Sequence, residues 1–292
     1  MPIYDIISCV IIRIIGGIMK KLVCALTLSI LTFATFALDS ENFVPTGRIN
    51  SYTKTEYAVT TKFGDFFRSV SAKYVHVFDG SGLEVECSTY NAKDALTDKM
   101  TYTYDTSRNR TSQVLTDAAG NTQWKMSFEY LADGKIKALS EYDASGTLVG
   151  KTIYKYDALN VTDSYYDGNG ALLSRTITTN DSEGRPLIVC EYDADGSLDE
   201  KIQYTYLDNG KLSAIEIFNS SGVKTSKLAY RYDASNYVSE VQTYTASGTL
   251  IQRDIYKVDA KGNPTKINVY AVAEKFGSTV NELQSITEYA YK

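Results

Sequence analysis

The sequence predicts an all-β fold: an antiparallel up-and-down meander of about sixteen or more strands, built from 26-residue hairpin repeats and curled or spiralled into a single sheet. Three observations carry this. A cation recurs at Lys73, Lys99, Lys125, Lys151, Arg175, Lys201, Lys227 and Arg253, every 26 residues with one step of 24, so one unit is copied along most of the chain. A turn signal, Tyr-Asp-x-x-Gly, recurs between short apolar stretches, as YDASG at 142–146, YDGNG at 166–170 and YDADG at 192–196. There are 24 Tyr against one His and one Trp, a composition suited to half-buried pleated strands.

Taken from the start, residues 1–37 read as an N-terminal extension and a signal peptide. Met19-Lys20-Lys21 precedes an apolar run from Leu22 to Phe36, and the small residues Thr35 and Ala37 suit signal peptidase, so translation is expected to start at Met19 and cleavage to follow Ala37. The stretch 1–18 is interrupted by Arg13 and falls short of the roughly 20 apolar residues a spanning helix needs. The product is therefore expected to be exported to the periplasm, the cell surface or the medium, meeting the membrane only through its signal unless it is a barrel. Residues 38–67 form an irregular lead-in with one or two strands, including 49–59, residues 68–270 the repeat array, and residues 271–292 an insertion followed by a closing strand at 285–291.

Within the array each unit holds one short and one long strand, each ended by the same turn. A type I turn followed by a left-handed residue makes a three-residue hairpin loop whose last position favours Gly or Asn. Gly fills most of these positions, Asn160 and Asn236 are expected to fill two more, and Asp94 and Arg108 break the rule. Asp at the first turn position caps its own turn, which accounts for the many aspartates without invoking a metal.

Aligned on the turn, the long strands show columns at even offsets: Leu96, Leu148, Leu172, Leu198 and Leu250; then Met100, Met126, Ile202 and Leu228; then paired aromatics such as Tyr154 and Tyr156. Even offsets share a face, and the cation ladder at offset five lies on the other. Continuing the register outward from the turn sets Tyr142 opposite Leu148, Lys125 opposite Glu141, Arg175 opposite Glu191, Lys201 opposite Ile217 and Arg253 opposite Val269. The same count puts Leu139, Val189, Ile215, Val241 and Ile267 on the cationic face. Open twisted sheets seldom exceed ~10 strands without curling, so the sheet is expected to curl over its Leu, Met and Tyr face. Cys87 and Cys190 fall on opposite faces, on the order of 40 Å apart in an open sheet at ~4.8 Å per strand, and are expected to stay unpaired.

The recurrent Tyr-x-Tyr-Asp-x-x-Gly-x-Leu, with its YKYD, YTYD and YRYD forms, resembles the YD repeat of bacterial rearrangement-hotspot proteins over residues 69–270. The resemblance implies a β-hairpin array that winds into a spiralled shell, usually within very large secreted or surface proteins. This chain differs in its 26-residue unit, its small size and its lack of a recognisable protease core or toxin tail.

Chemistry is sparsely marked. His76 occupies a column otherwise filled by Tyr and Phe and is expected to pack as an aromatic. No catalytic, cofactor-binding or metal-ligating set stands out, so no enzyme activity and no cofactor are expected. With 22% charged residues and a formal charge of −5, a nucleic-acid partner is excluded from the expectations. The ladder is a polar sheet face first, and an anionic-polymer site second. The function expected is a non-catalytic secreted or envelope scaffold for an envelope or host protein or an anionic glycan; the alternative is an outer-membrane β-barrel.

Overall fold

The computed structural model describes residues 43–292 apart from 63, 64 and 276. The expected signal segment and the Met19 start lie outside the described residues. Residues 47–292 form one unit, in which eighteen strands follow one another: β1 (Ser51–Lys62), β2 (Asp65–Phe78), β3 (Glu84–Asn91), β4 (Leu96–Tyr104), β5 (Arg110–Asp117), β6 (Thr122–Tyr130), β7 (Ile136–Asp143), β8 (Leu148–Asp157), β9 (Asn160–Asp167), β10 (Leu172–Asn180), β11 (Pro186–Asp193), β12 (Leu198–Tyr206), β13 (Leu212–Asn219), β14 (Lys224–Tyr232), β15 (Val238–Thr245), β16 (Leu250–Val258), β17 (Pro264–Lys275) and β18 (Ser278–Tyr291). Each strand pairs antiparallel with the next, and β18 pairs with β1, so the meander closes into a barrel. Closure removes both sheet edges.

The lead-in therefore contributes a full strand, β1. The residues expected as an insertion extend β17 to Lys275 and, after a tight turn, begin β18. β17, β18, β1 and β2, the four longest strands, are neighbours at the seam, where Arg68 and Lys266 reach Glu288 at 2.8 and 3.2 Å.

The turns behave as their chemistry requires. In the YDASG hairpin Asp143 N–H donates to Thr147 O, Gly146 N–H donates to Asp143 O, and Gly146 has a φ of 82°. The Asp143 carboxylate accepts from the Ser145 hydroxyl and the Thr147 N–H, which hold it below the usual carboxylate range. Asp94 and Arg108 take the left-handed position despite their side chains, at φ 61° and 70°. Asn160 does not: β8 and β9 are joined by the two residues Ala158 and Leu159, Asp157 pairs directly with Asn160, and Ala158 carries the positive φ.

Past every three-residue loop the register slips by one residue. Tyr142 pairs with Leu148, but Glu141 pairs with Gly150, leaving Val149 as a bulge; Tyr130 pairs with Ile136, but Glu129 with Ala138, leaving Lys137. A bulge exchanges the faces of all residues beyond it. The face assignment drawn from simple alternation is corrected accordingly. Leu139, Val189, Ile215, Val241 and Ile267 lie opposite Phe128, Thr178, Tyr204, Tyr230 and Tyr256, on the aromatic face rather than the cationic one. The Leu column leaves that face: Leu148 pairs with Tyr142 and is 36% exposed.

Tyr52, Met126, Leu139, Glu141, Thr152, Val241 and Asp254, the large side chains below 2% exposure, all lie on this one face, linked through cross-strand partners. It is the inner wall. Tyrosines brace it at a fixed interval: the hydroxyls of Tyr104, Tyr130, Tyr156, Tyr206 and Tyr232 donate to the carbonyls of Glu84, Arg110, Ile136, Pro186 and Leu212 at 2.6–2.8 Å. Each ring thus crosses to the first residue of the preceding short strand.

Candidate functional site

The cation ladder stands on the outer wall. Because of the bulges its partners differ from those simple counting gives: Lys125 faces Tyr142, Arg175 faces Tyr192, Lys201 faces Phe218 and Arg253 faces Tyr270. Lys73, Lys151 and Lys227 likewise face Tyr90, Tyr166 and Tyr244, while Lys99 faces Thr116. Two ammonium groups sit over their rings, Lys73 over Tyr90 at 4.3 Å and Lys201 over Phe218 at 4.2 Å from the centroid.

Most of the ladder's charge is also compensated. Lys99 reaches Glu86 at 3.0 Å, Lys151 reaches Glu129 at 3.7 Å, Lys227 reaches Glu216 at 4.0 Å, Arg253 reaches Glu240 at 2.6 Å, and Lys73 pairs with Asp94. Arg253 and Gln242 outweigh the partial burial of Glu240 and hold its carboxyl low. Among the described residues neither Lys125 nor Arg175 has an ion-pair partner, and both are exposed.

The inner wall carries three polar clusters. At the first, Glu141 is 1% exposed and neither carboxyl oxygen has a hydrogen-bond partner. Its strand neighbours are Met126 and Gly150, and Tyr165 lies over Gly150, its hydroxyl 2.5 Å from where a Cβ would stand. Burial pushes the Glu141 carboxyl up to about 7, the nearby Trp124 indole holding it back only in part. At the second, Asp254 accepts from Gln252 at 2.9 Å, and burial raises its carboxyl to about 6.

The third cluster lies on one hairpin. His76 on β2 and Cys87 on β3 are a cross-strand pair, and Glu84 begins β3. The imidazole Nδ1 is 2.6 Å from Glu84 Oε1 and its Nε2 is 3.7 Å from Cys87 Sγ. Tyr52 stacks on the imidazole with ring centroids 4.2 Å apart and planes 11° from parallel. His76 does stack as an aromatic in its column, but it also brings together a nitrogen, an oxygen and a sulfur donor within 4.8 Å of one another, a set that can hold a metal ion. The sequence marks Cys87 only as an unpaired thiol and leaves Glu84 unmarked. Cys190 sits on the outer wall opposite Lys201, and neither cysteine is disulfide-bonded.

Neither protein-family models nor curated protein sequences give a match to the chain. Among solved structures it is similar to a porin-like protein from Bacteroides uniformis, with 12% identity over 85% of this chain and 99% of that one and a TM-score of 0.31. It is also similar to a chain of the Photorhabdus luminescens Tc holotoxin pore, with 14% identity over 72% of this chain and 16% of that one and a TM-score of 0.20. A protein of unknown function from Bacteroides fragilis aligns with 14% identity over 58% of this chain and 92% of that one, at a TM-score of 0.19. Likeness of this extent carries no argument about function.

Proposed function

We infer that the chain is an exported β-barrel protein of the cell envelope, non-catalytic, acting as a structural or interaction scaffold with its outer wall in water. One observation carries this reading: the inner wall is closely packed, mostly apolar and aromatic around three polar clusters, while the outer wall sets charged side chains among its tyrosines. Met126, Leu139, Val241 and their neighbours line the inner wall, whereas the outer wall presents the ladder together with Glu86, Glu216 and Glu240 within their strands and Glu129 near the end of β6. A lipid-facing wall needs an apolar band about 25 Å tall, and each Lys or Arg near the bilayer midplane costs about 2–4 kcal/mol. The Tyr-Asp-x-x-Gly hairpins support a place beside YD-repeat proteins, with the array closed into a ring. An anionic glycan, or an acidic surface of an envelope or host protein, would meet the wall around Lys125 and Arg175.

A second reading, an outer-membrane barrel, is favoured by the closed eighteen-strand ring itself, since closure is what lets strands cross a bilayer without an exposed edge. Fractionation separates the two. A water-facing barrel is recovered in the soluble envelope or culture fraction without detergent. Recovery only with detergent, as a heat-modifiable band on electrophoresis, would overturn the scaffold reading in favour of the membrane barrel.

A further inference from the structure

One hairpin departs from the repeat at three positions at once. The inner-wall pair made by His76 and Cys87 is made in later units by Tyr102 and Gln113, Phe128 and Leu139, Tyr204 and Ile215, or Tyr230 and Val241. Glu84 stands where Ile136, Pro186, Leu212 and Val238 begin later short strands and Pro264 begins β17; only Arg110, at the start of β5, is also charged there. Four of the seven other units set a ring against an aliphatic chain here: Phe128–Leu139, Tyr204–Ile215, Tyr230–Val241 and Tyr256–Ile267. Replacing them by the chain's one histidine, a thiol and a carboxylate gives up apolar burial at three adjacent places.

The three replacements converge. For a tetrahedral ion with nitrogen at 2.0–2.1 Å and sulfur at 2.3 Å, the two donor atoms lie about 3.6 Å apart; His76 Nε2 and Cys87 Sγ lie 3.7 Å apart. On the far side of the ring Glu84 Oε1 accepts from Nδ1 at 2.6 Å, the contact that fixes the tautomer and orientation of a metal-bound imidazole. Tyr52 stacked on the same ring fixes its plane. His76 is 3% exposed while Cys87 is half-buried, so the sulfur side is the side open to an incoming ion.

We propose that the β2–β3 hairpin binds a borderline-soft divalent cation, Zn²⁺ first, through His76 Nε2 and Cys87 Sγ, with Glu84 holding the imidazole and water completing the coordination. Mixed nitrogen and sulfur donors select against Mg²⁺ and Ca²⁺, which take oxygen. The thiol gives its proton to solvent as the ion binds. The site is independent of whether the outer wall faces water or lipid.

Co²⁺ titration of the reduced, full-length mature barrel tests this. One Co²⁺ per chain is expected, with a near-ultraviolet thiolate-to-cobalt band that Zn²⁺ abolishes by displacement. C87V and H76Y install residues that the same columns hold at Val241 and Tyr102, so both variants keep the repeat's own packing, and each should lose the band. E84Q leaves both ligands in place and should weaken binding about 10–100-fold. A folded wild-type barrel without the band, or a band that survives in C87V, would overturn the proposal.

Discussion

Replacing Glu141 by Gln turns an inner-wall carboxyl into a measurable pH dependence. Below pH 4.5 the carboxyl is protonated in both folded and unfolded chains and contributes nothing. Between 4.5 and about 7 the folded chain keeps a proton that the unfolded chain has released, so stability falls as pH rises. Above that interval both forms are ionised and the folded state carries the whole cost, about 3–4 kcal/mol at about 1.4 kcal/mol per pH unit. E141Q cannot ionise. The buried amide has a cost of its own, but that cost is the same at every pH and cancels when the variant is compared with wild type at two pH values. Between pH 5 and pH 8 the stability advantage of E141Q should grow by about 2–3 kcal/mol. Guanidinium unfolding followed by Trp124 fluorescence reads this directly, because the chain's one Trp neighbours Glu141 on the inner wall. Asp254 titrates in the same sense in both proteins and drops out. An advantage that changes by less than about 0.5 kcal/mol between the two pH values would refute the burial of an uncompensated carboxyl.

Two further outcomes follow from the walls. Tyr206→Phe keeps the ring but removes the bond to Pro186 O, and should lower stability by about 1 kcal/mol; the same change at Tyr130 should add to it, since the two latches share no partner, and urea midpoints of the single and double variants check both. Neutralising Lys125, Lys151 and Arg175 to Gln should weaken retention on a heparin-like matrix at low salt, with Lys151 contributing least because Glu129 already faces it; unchanged retention would remove the ladder as a polyanion site.

The parts of the fold legible in the sequence are those set by local chemistry. Tyr-Asp-x-x-Gly specifies its turn through the Asp side chain and the left-handed Gly, so the strand count and the alternation of long and short strands can be read directly. The opposite placement of Cys87 and Cys190 is legible too, since it holds on either count of the faces. The bulges are not legible in the same way. Val149 and Lys137 carry no side-chain signal for being skipped; a twisted, closing sheet takes up the extra residue, and one such residue inverts every face assignment beyond it. Closure was hidden for a different reason: β1 and β18 make the seam with sequences outside the repeat, so no column announces them. The metal-ligand cluster did leave a signal. His76 alone looks like an aromatic substitute, but Glu84 and Cys87 break their own columns in the same hairpin, and only the corrected register puts all three on one wall.

The register also explains the single 24-residue step in the ladder. Each unit contains two hairpins, and in a regular unit each hairpin spends three residues on its loop and one on a bulge. Two bulges per unit invert the faces twice and so restore them, which is how Lys73, Lys99, Lys125 and Lys151 all reach the outer wall across successive hairpins. Between β8 and β9 the loop has two residues and the pairing runs without a bulge from Asp157–Asn160 through Gly150–Asp167. One loop residue and one bulge residue are missing together, and the step from Lys151 to Arg175 shortens by two. Losing only one of them would have made the step 25, because Arg175 keeps its wall through its partner Ser164, which shares the face of Tyr166 and Lys151. The spacing of the ladder therefore records loop length and bulge together, while cross-strand pairing keeps Lys151, Tyr166, Ser164 and Arg175 on one wall.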